Sequence, residues 1–238
     1  MFIFSNNIHK FEQQGQFYSQ FEAMKAVIKE SRAEHFIQHA QEVFFNKGYA
    51  HTTISDICKK AECSRTTLYS YFESKENLYL AVIERAFKKF LGYFGKLKEE
   101  GKNGFEQVLI HSQGYIRFST EFPKHYETIH DFYASIRNVN ESPLQTEVQS
   151  QIKASKNFEG VQELSLLPFR LLTKEIQRGQ DEGNINTLYS AEEHMVNIWA
   201  YLKGISDISP NLNFVFSDKK LDMEKKTGRF IRAMLEVN

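Results

Sequence analysis

The sequence has little of what a secreted or membrane-spanning protein needs. Its 238 residues include two cysteines, which is too few for a disulfide-stabilised secreted scaffold. No apolar run approaches the roughly 20 residues that a transmembrane helix requires, so we expect no membrane partner. Residues 1–7 lack both a basic segment and a sustained apolar core, so they are not an export signal. We therefore expect a cytoplasmic protein.

Signatures of catalysis are also missing. The sequence has no glycine-rich phosphate loop, no cluster with metal-ligand spacing and no nucleophile motif, so we expect no enzyme, no cofactor and no metal. Cys58 falls on the apolar face of a predicted helix, and Cys63 directly precedes the next helix. We interpret both as small buried hydrophobic residues in preference to a redox sensor.

The chain also lacks net charge, but its charges are unevenly distributed. Residues 24–98 hold 13 lysines and arginines against 8 acidic residues, whereas residues 99–238 hold 16 against 20. A basic segment followed by an acidic one concentrates positive charge where phosphates would bind. The hydrophobic content of 41%, with 21 phenylalanines, is sufficient for one small and one medium domain with real cores.

Residues 52–72 have the pattern of two short helices joined by a tight turn. Thr53 is placed to cap the first helix, with Asp56 three residues later, and Ser64 is placed to cap the second. Leu68 and Phe72 lie four residues apart and face inward. Five residues then point outward, namely Arg65, Thr66, Thr67, Tyr69 and Tyr71. This arrangement predicts a helix-turn-helix whose second helix enters the major groove of DNA.

A longer helix is predicted before this motif. Ser31 and Glu34 have the spacing of a capping box, so we expect the helix to begin at Ser31. Gly48 stands where a left-handed residue would end it. Residues 1–23 are rich in glutamine and are interpreted either as a mobile arm or as an extension that adds a short helix. Three basic residues just after them, Lys25, Lys29 and Arg32, are candidates to reach phosphate or a minor groove.

Residues 31–90, about a quarter of the chain, resemble the tetracycline-repressor (TetR) family of bacterial regulators. The residues that carry this resemblance are Gly48, Tyr49, Thr52, Thr53, Ile54, Ile57, Cys58, Ala61, Ser64, Thr67, Leu68, Tyr69, Tyr71, Phe72 and the run from Ser74 to Leu78. The resemblance implies an all-α protein, with a three-helix helix-turn-helix domain followed by a larger helical domain for ligand binding and dimerisation. We accordingly divide the chain into an extension (1–30), a DNA-binding domain (31–80) and an effector-binding and dimerisation domain (81–238).

The resemblance also implies roles for individual residues. Thr53, Ser64, Tyr71 and Lys75 would contact phosphates. Four residues would approach base edges, namely Arg65, Thr66, Thr67 and Tyr69. The position of Thr66 often holds glycine or alanine in the family, so this threonine either reads a base or holds the helix slightly away from the groove.

The rest of the sequence is predicted to be helical. The expected helices cover about 78–98, 104–119, 123–137, 145–155, 163–182, 191–206 and 218–236, with a turn-rich break at 138–143. Pro123 suits a helix start, Pro168 is expected near the start of its helix or at a kink, and Gly183 is expected to end that helix. By resemblance, the last two helices would form a homodimer, which predicts a palindromic DNA operator.

Aromatic residues are concentrated in the middle helices. Most are expected in the core, but a subset is a candidate ligand-binding site, namely His111, Tyr115, Phe118, Phe122, Tyr126 and Tyr133. The predicted function is that of a repressor that a small, largely apolar effector releases from DNA. The alternative is a ligand-independent DNA-binding protein, with an architectural role or under the control of a protein partner.

Overall fold

The computed structural model describes residues 2–97, 101–137, 147–215 and 222–237. These residues form ten helices and contain no strand, which confirms the all-α fold class. The helices are α1 (Phe2–Lys47), α2 (Ile54–Lys60), α3 (Arg65–Tyr69), α4 (Lys75–Leu97), α5 (Gly104–Glu121), α6 (Pro123–Arg137), α7 (Glu147–Ala154), α8 (Phe158–Asp181), α9 (Ala191–Val215) and α10 (Met223–Leu235). The predicted break at 138–143 lies outside the described residues. Within those ranges, no helix is both long and apolar enough to cross a membrane.

The chain divides into two compact units, Met1–Val82 and Ile83–Asn238. In the first unit, α1 packs against α2 and α2 against α3. Its core includes Phe36, Ile57 and Leu68, which are almost fully buried. In the second unit, α5 is central and packs against α6, α8, α9 and α10.

Helix α1 differs from the prediction. It runs without interruption from Phe2 to Lys47, so the expected start at Ser31 is wrong. Residues 2–30 contain no proline and only one glycine, Gly15, so nothing in this segment stops a helix that is already formed. A capping-box pattern inside such a segment does not start a helix, because the preceding residues are helical as well. The extension is therefore continuous with the first helix and is not a separate short one.

Other local predictions are confirmed. Gly48 and Gly183 have φ values of 75° and 73°, so both occupy the left-handed region after a helix. Pro123 begins α6, where its missing N–H has no helical acceptor to lose. The predicted start of α8 at about residue 163 is wrong, because the helix begins five residues earlier, at Phe158, and Pro168 therefore lies inside it and not near its start.

In the second unit, α5 and α8 approach each other closely at Gly104. A Cβ atom added to Gly104 would lie 2.6 Å from the backbone oxygen of Glu175 and would also collide with the backbone of Gly179. The glycine is therefore required for α5 and α8 to pack at this distance. The N–H of Gly104 donates to Glu182 Oε2 at 2.8 Å, which fixes the start of α5 beside the end of α8.

Candidate nucleic-acid interface and interior cavity

The helix-turn-helix in the first unit is held by its predicted caps. The Thr53 hydroxyl accepts from the Asp56 N–H at 3.2 Å, and the Asp56 carboxylate accepts from the Thr53 N–H at 2.9 Å. This is a reciprocal capping box. Lys47 donates to Asp56 at 2.6 Å, and this bond, together with those from Thr53, holds the pKa of Asp56 well below its usual range. The start of α2 is thereby tied to the end of α1.

The start of α3 is fixed in a similar way. The Ser64 hydroxyl accepts from the Thr67 N–H at 3.0 Å and also contacts the Thr67 hydroxyl at 2.8 Å. Leu68 is 1% exposed, whereas its neighbour Tyr69 is 47% exposed. Arg65 and Thr66 are exposed too, so α3 places one apolar residue in the core and presents polar and aromatic groups outward.

Two predicted contact residues have partners that sequence reasoning missed. The Arg65 guanidinium donates to the hydroxyl of Ser55 on α2. The Lys75 ammonium lies 4.1 Å from the centroid of the Tyr49 ring, and burial lowers the pKa of this lysine. The Tyr49 hydroxyl in turn donates to Glu76 at 2.5 Å, so α4 begins against the end of α1. These contacts orient both cations on the surface of the first unit.

Tyr71, just after α3, is half-buried because its ring packs edge-on against Phe36 of α1, with centroids 5.1 Å apart. The eight predicted DNA-binding residues thus lie on α3, at the N-caps of α2 and α3, just after α3 and at the first residue of α4. Their roles stay predictions.

The second unit contains a small cavity of about 20 Å³, close to the space that one water molecule needs. Its lining comes from four helices, α4, α5, α8 and α9. The lining residues are Phe94, His111, Ser112, Tyr115, Pro168, Leu171, Leu172, Trp199 and Leu202. Of the six predicted ligand-binding residues, His111 and Tyr115 line this cavity.

The other four of the six do not line this cavity. Phe118 is fully buried and packs against Phe122, with ring centroids 5.3 Å apart. The Tyr126 hydroxyl donates to Asp207 at 2.9 Å, and the Tyr133 hydroxyl donates to the backbone oxygen of Ser165 at 2.7 Å. Tyr133 packs behind the lining, since its ring contacts that of Trp199 at a centroid distance of 5.9 Å.

The polar groups of the lining bond to other parts of the protein. The Ser112 hydroxyl donates to the Val108 backbone oxygen at 2.7 Å, and the Tyr115 hydroxyl lies 2.7 Å from His130 Nε2. Burial lowers the pKa of His130 to about 4, with the nearby Lys203 as a smaller cause.

The side chain of Gln107 determines the tautomer of His111. Gln107 Oε1 accepts from the Gly101 N–H at 3.1 Å, so its amide nitrogen is the atom that faces Leu97 O at 3.0 Å and His111 Nε2 at 2.9 Å. His111 Nε2 is therefore the acceptor, and the imidazole proton lies on Nδ1.

The N-terminal unit is similar to a known family of DNA-binding proteins. The family model described as "Bacterial regulatory proteins, tetR family" matches residues 36–82, which include α2, α3 and the caps described above. Residues 36–82 therefore resemble the DNA-binding domain of TetR regulators.

Two curated relatives give the extent of the likeness. The HTH-type transcriptional regulator QacR of Staphylococcus aureus is 30% identical over 83 residues, which are 35% of this chain and 43% of QacR. The biofilm operon icaADBC HTH-type negative transcriptional regulator IcaR of Staphylococcus aureus is 28% identical over 149 residues, which are 55% of this chain and 76% of IcaR. The chain thus matches less than half the length of QacR.

Solved structures extend the TetR-like fold to most of the chain. A TetR transcriptional regulator from Chloroflexus aurantiacus superposes with a TM-score of 0.64 at 17% identity, over 88% of this chain and 98% of that one. FadR from Bacillus subtilis, solved in complex with stearoyl-CoA, superposes with a TM-score of 0.55 at 16% identity, over 85% of this chain and 97% of FadR.

Proposed function

We propose that this protein is a homodimeric, sequence-specific DNA-binding repressor that a small, uncharged and largely apolar effector releases from a palindromic operator. The observation that carries the proposal is the outward face of α3, where Arg65, Thr66 and Tyr69 are exposed beside the buried Leu68. Donors and an aromatic ring on the second helix of a helix-turn-helix suit base edges and phosphates. The relative IcaR is itself a negative regulator, which supports repression.

The homodimer is supported by an exposed stripe on α9. Val196, Ala200, Gly204 and Ile208 recur every four residues on this helix and all are exposed. Two of the four are small, so a second helix can approach closely along the stripe. Phe230 on α10 is 43% exposed and stacks on Tyr201 of α9, with ring centroids 3.9 Å apart. A two-fold axis through these helices requires a palindromic operator, with half-sites separated by whole helical turns.

The cavity supports the class of effector. Among the described residues that line it, none is charged, and the hydroxyls of Ser112 and Tyr115 already bond to protein groups. An ion would enter without a counter-charge, whereas an aromatic or aliphatic molecule would contact Phe94, Trp199 and the leucines. The FadR structure is an example of this fold with a bound ligand. An effector that favours one spacing of the two recognition helices by about 1–3 kcal/mol is sufficient to shift the population.

The proposal is tested by selection of operators from a random-sequence duplex pool with the full-length protein. We expect a palindromic consensus, and binding that weakens steeply with salt. Uncharged aromatic compounds are then screened for release of the selected duplex. The enrichment of no sequence would contradict the proposal.

A matched pair of variants locates the effector. Leu171 and Leu166 are both 37% exposed on α8, but only Leu171 lines the cavity. We expect Leu171→Trp to fill the cavity and abolish release while operator binding persists, and Leu166→Trp to respond as the wild type does. The same loss of response in both variants would place the effector elsewhere.

The small size of the cavity favours a second candidate function. About 20 Å³ accommodates no effector unless the four helices move apart. A DNA-binding protein that uses no ligand, and is either architectural or controlled by a protein partner, needs no such movement. Specific binding that no compound of any class releases would favour this alternative.

A further inference from the structure

Helix α1 carries a basic stripe, Lys25, Lys29 and Arg32, on the exposed part that precedes the buried Phe36. All three side chains are exposed. They are separated by four and three residues, and Phe36 follows after four more. Residues with this spacing lie on one face of a helix, so the basic stripe and Phe36 share a face.

The position of Phe36 fixes where this face points. Phe36 is 4% exposed and packs edge-on against Tyr71, with ring centroids 5.1 Å apart. Tyr71 directly follows the C-cap of α3. His35 directly precedes Phe36 on α1. Its Nε2 atom lies 3.3 Å from the backbone oxygen of Ala61, in the turn between α2 and α3. The basic stripe therefore lies on the side of α1 that, further along the helix, contacts the helix-turn-helix.

Within residues 23–36, the acidic residues and the exposed large apolar residues lie elsewhere around the helix. Glu30 and Glu34 are each two residues away from Arg32, so they do not share its face. Exposed apolar residues occupy a third face, namely Met24, Val27 and Ile28. Within residues 23–36, the lysines and the arginine of α1 thus lie along one line.

We propose that Lys25, Lys29 and Arg32 bind the phosphate backbone of DNA next to the half-site that α3 occupies. This inference rests on the proposed function, and it adds a second contact surface to it. Lys25 lies 11 residues before Phe36, which corresponds to about 16 Å of helix. DNA carries one charge per about 1.7 Å of its axis, so such a stripe spans several phosphates. The partner is chosen by charge complementarity, since three cations with helical spacing match a polyanion.

The test compares full-length variants on two duplexes, one that ends at the selected operator and one that extends about six base pairs further on each side. Lys25→Gln, Lys29→Gln and Arg32→Gln are combined. A matched control removes three charges from the second unit, Lys153→Gln, Lys156→Gln and Lys174→Gln. Glutamine is a good helix former, so α1 is expected to stay helical in circular dichroism.

We expect the wild type and the control to bind the extended duplex about 10- to 50-fold more tightly at low salt, and the α1 variant to lose this gain. The slope of log K against log salt should fall by about 2–3 for each protomer, at 0.9 per phosphate released. A charge-conserving variant, Lys25→Arg, Lys29→Arg and Arg32→Lys, should restore both.

An α1 variant with the wild-type slope and the wild-type gain would overturn the inference. That result, accompanied by loss of self-association in a Met24→Gln and Ile28→Gln variant, would assign the segment to contact with a second copy. If the wild type binds DNA without sequence preference, the proposed repressor function is contradicted. The role of the basic stripe is still tested in that case, because the α1 variant should show a smaller salt slope than the wild type on any duplex. A protein that binds no DNA at low salt would overturn both.

Discussion

Two adjacent residues on α3 provide a direct test of the helix-turn-helix, because one is buried and the other exposed. Leu68 is 1% exposed, so Leu68→Ala removes side-chain carbons that contact only the core. The loss of their transfer free energy and the cavity left behind should together destabilise the first unit by about 2–5 kcal/mol. A domain of this size is stable by only about 5–15 kcal/mol, so such a loss is a large share of the total.

Tyr69→Ala should behave in the opposite way. Tyr69 is 47% exposed, so its removal should change the free energy of unfolding by no more than about 0.5 kcal/mol. Operator binding should weaken by about 1–3 kcal/mol for each half-site, because the contact with DNA is lost. Tyr69→Phe separates the hydroxyl from the ring, since it removes only the donor.

The assays separate stability from binding. Urea unfolding followed by circular dichroism reports both units, whereas the fluorescence of the single tryptophan, Trp199, reports the second unit alone. Operator affinity is measured by fluorescence anisotropy below the unfolding transition. A Leu68→Ala variant as stable as the wild type would show that the assigned orientation of α3 is wrong. The same conclusion would follow if Tyr69→Ala destabilised the first unit but the protein that remained folded bound the operator as tightly as the wild type.

Three further predictions use glycines and histidines of the second unit. A Cβ at Gly204 or at Gly160 meets nothing within 4 Å, so Gly204→Arg should fold but dissociate the dimer in sedimentation, whereas Gly160→Arg should leave it intact. Gly104→Ala should lower Tm because the added Cβ collides with the backbone of α8. Gly160→Ala should instead raise the free energy of unfolding by up to about 1 kcal/mol through helix propensity. Equal effects of the two substitutions would contradict the close packing of α5 against α8. Burial lowers the pKa of His125 and His130 to about 4, below the unfolded value of 6.5, so the unfolded chain binds more protons between these values and stability should fall as pH falls from 6.5 to 4. In a variant that combines His125→Gln and His130→Gln, Tm should depend less on pH between 4 and 6.5. An unchanged dependence would show that these two histidines do not cause it.

The helix-turn-helix was predictable because its determinants are local. Caps and inward residues are set by spacings of three and four, and such spacings are visible in a sequence. The turn between α2 and α3 shows this well. Glu62 has a φ of 50°, and the N–H of Cys63 donates to Cys58 O at 3.0 Å, which is the long bond of a Schellman motif. The two cysteines are the apolar pair that accompanies this motif. Burial and the hydrogen bond with Cys58 raise the pKa of the Cys63 thiol to about 11, so few thiolates form at neutral pH, as expected of structural cysteines.

The start of α1 was not predictable from the same kind of signal. A capping box at Ser31 lowers the free energy of a helix that begins there, but it does not prevent a longer helix. The residues before it decide the outcome, and residues 16–30 lack both proline and glycine. A local start signal is therefore reliable only where the preceding residues are unfavourable to a helix, as at Thr53, which follows the left-handed Gly48 and a short turn.

The cavity was predicted least well, and the reason is tertiary. The sequence shows aromatic residues at helical spacing on α5 and α6, but a ring lines a cavity only where the opposite helix leaves space. The rings of Phe118 and Phe122 pack against each other, and the Tyr133 hydroxyl donates to a backbone oxygen on α8. Space remains instead between α5 and the segment of α8 that contains Pro168, whose ring cannot pack as a regular helical side chain does. His111 and Tyr115 line the cavity, together with Ser112, because they lie on the face of α5 that is turned to this segment. Which aromatic residues form a pocket thus depends on the distance between α5 and α8. Gly104 sets that distance, because its Cα lies directly against the backbone of Glu175 and Gly179.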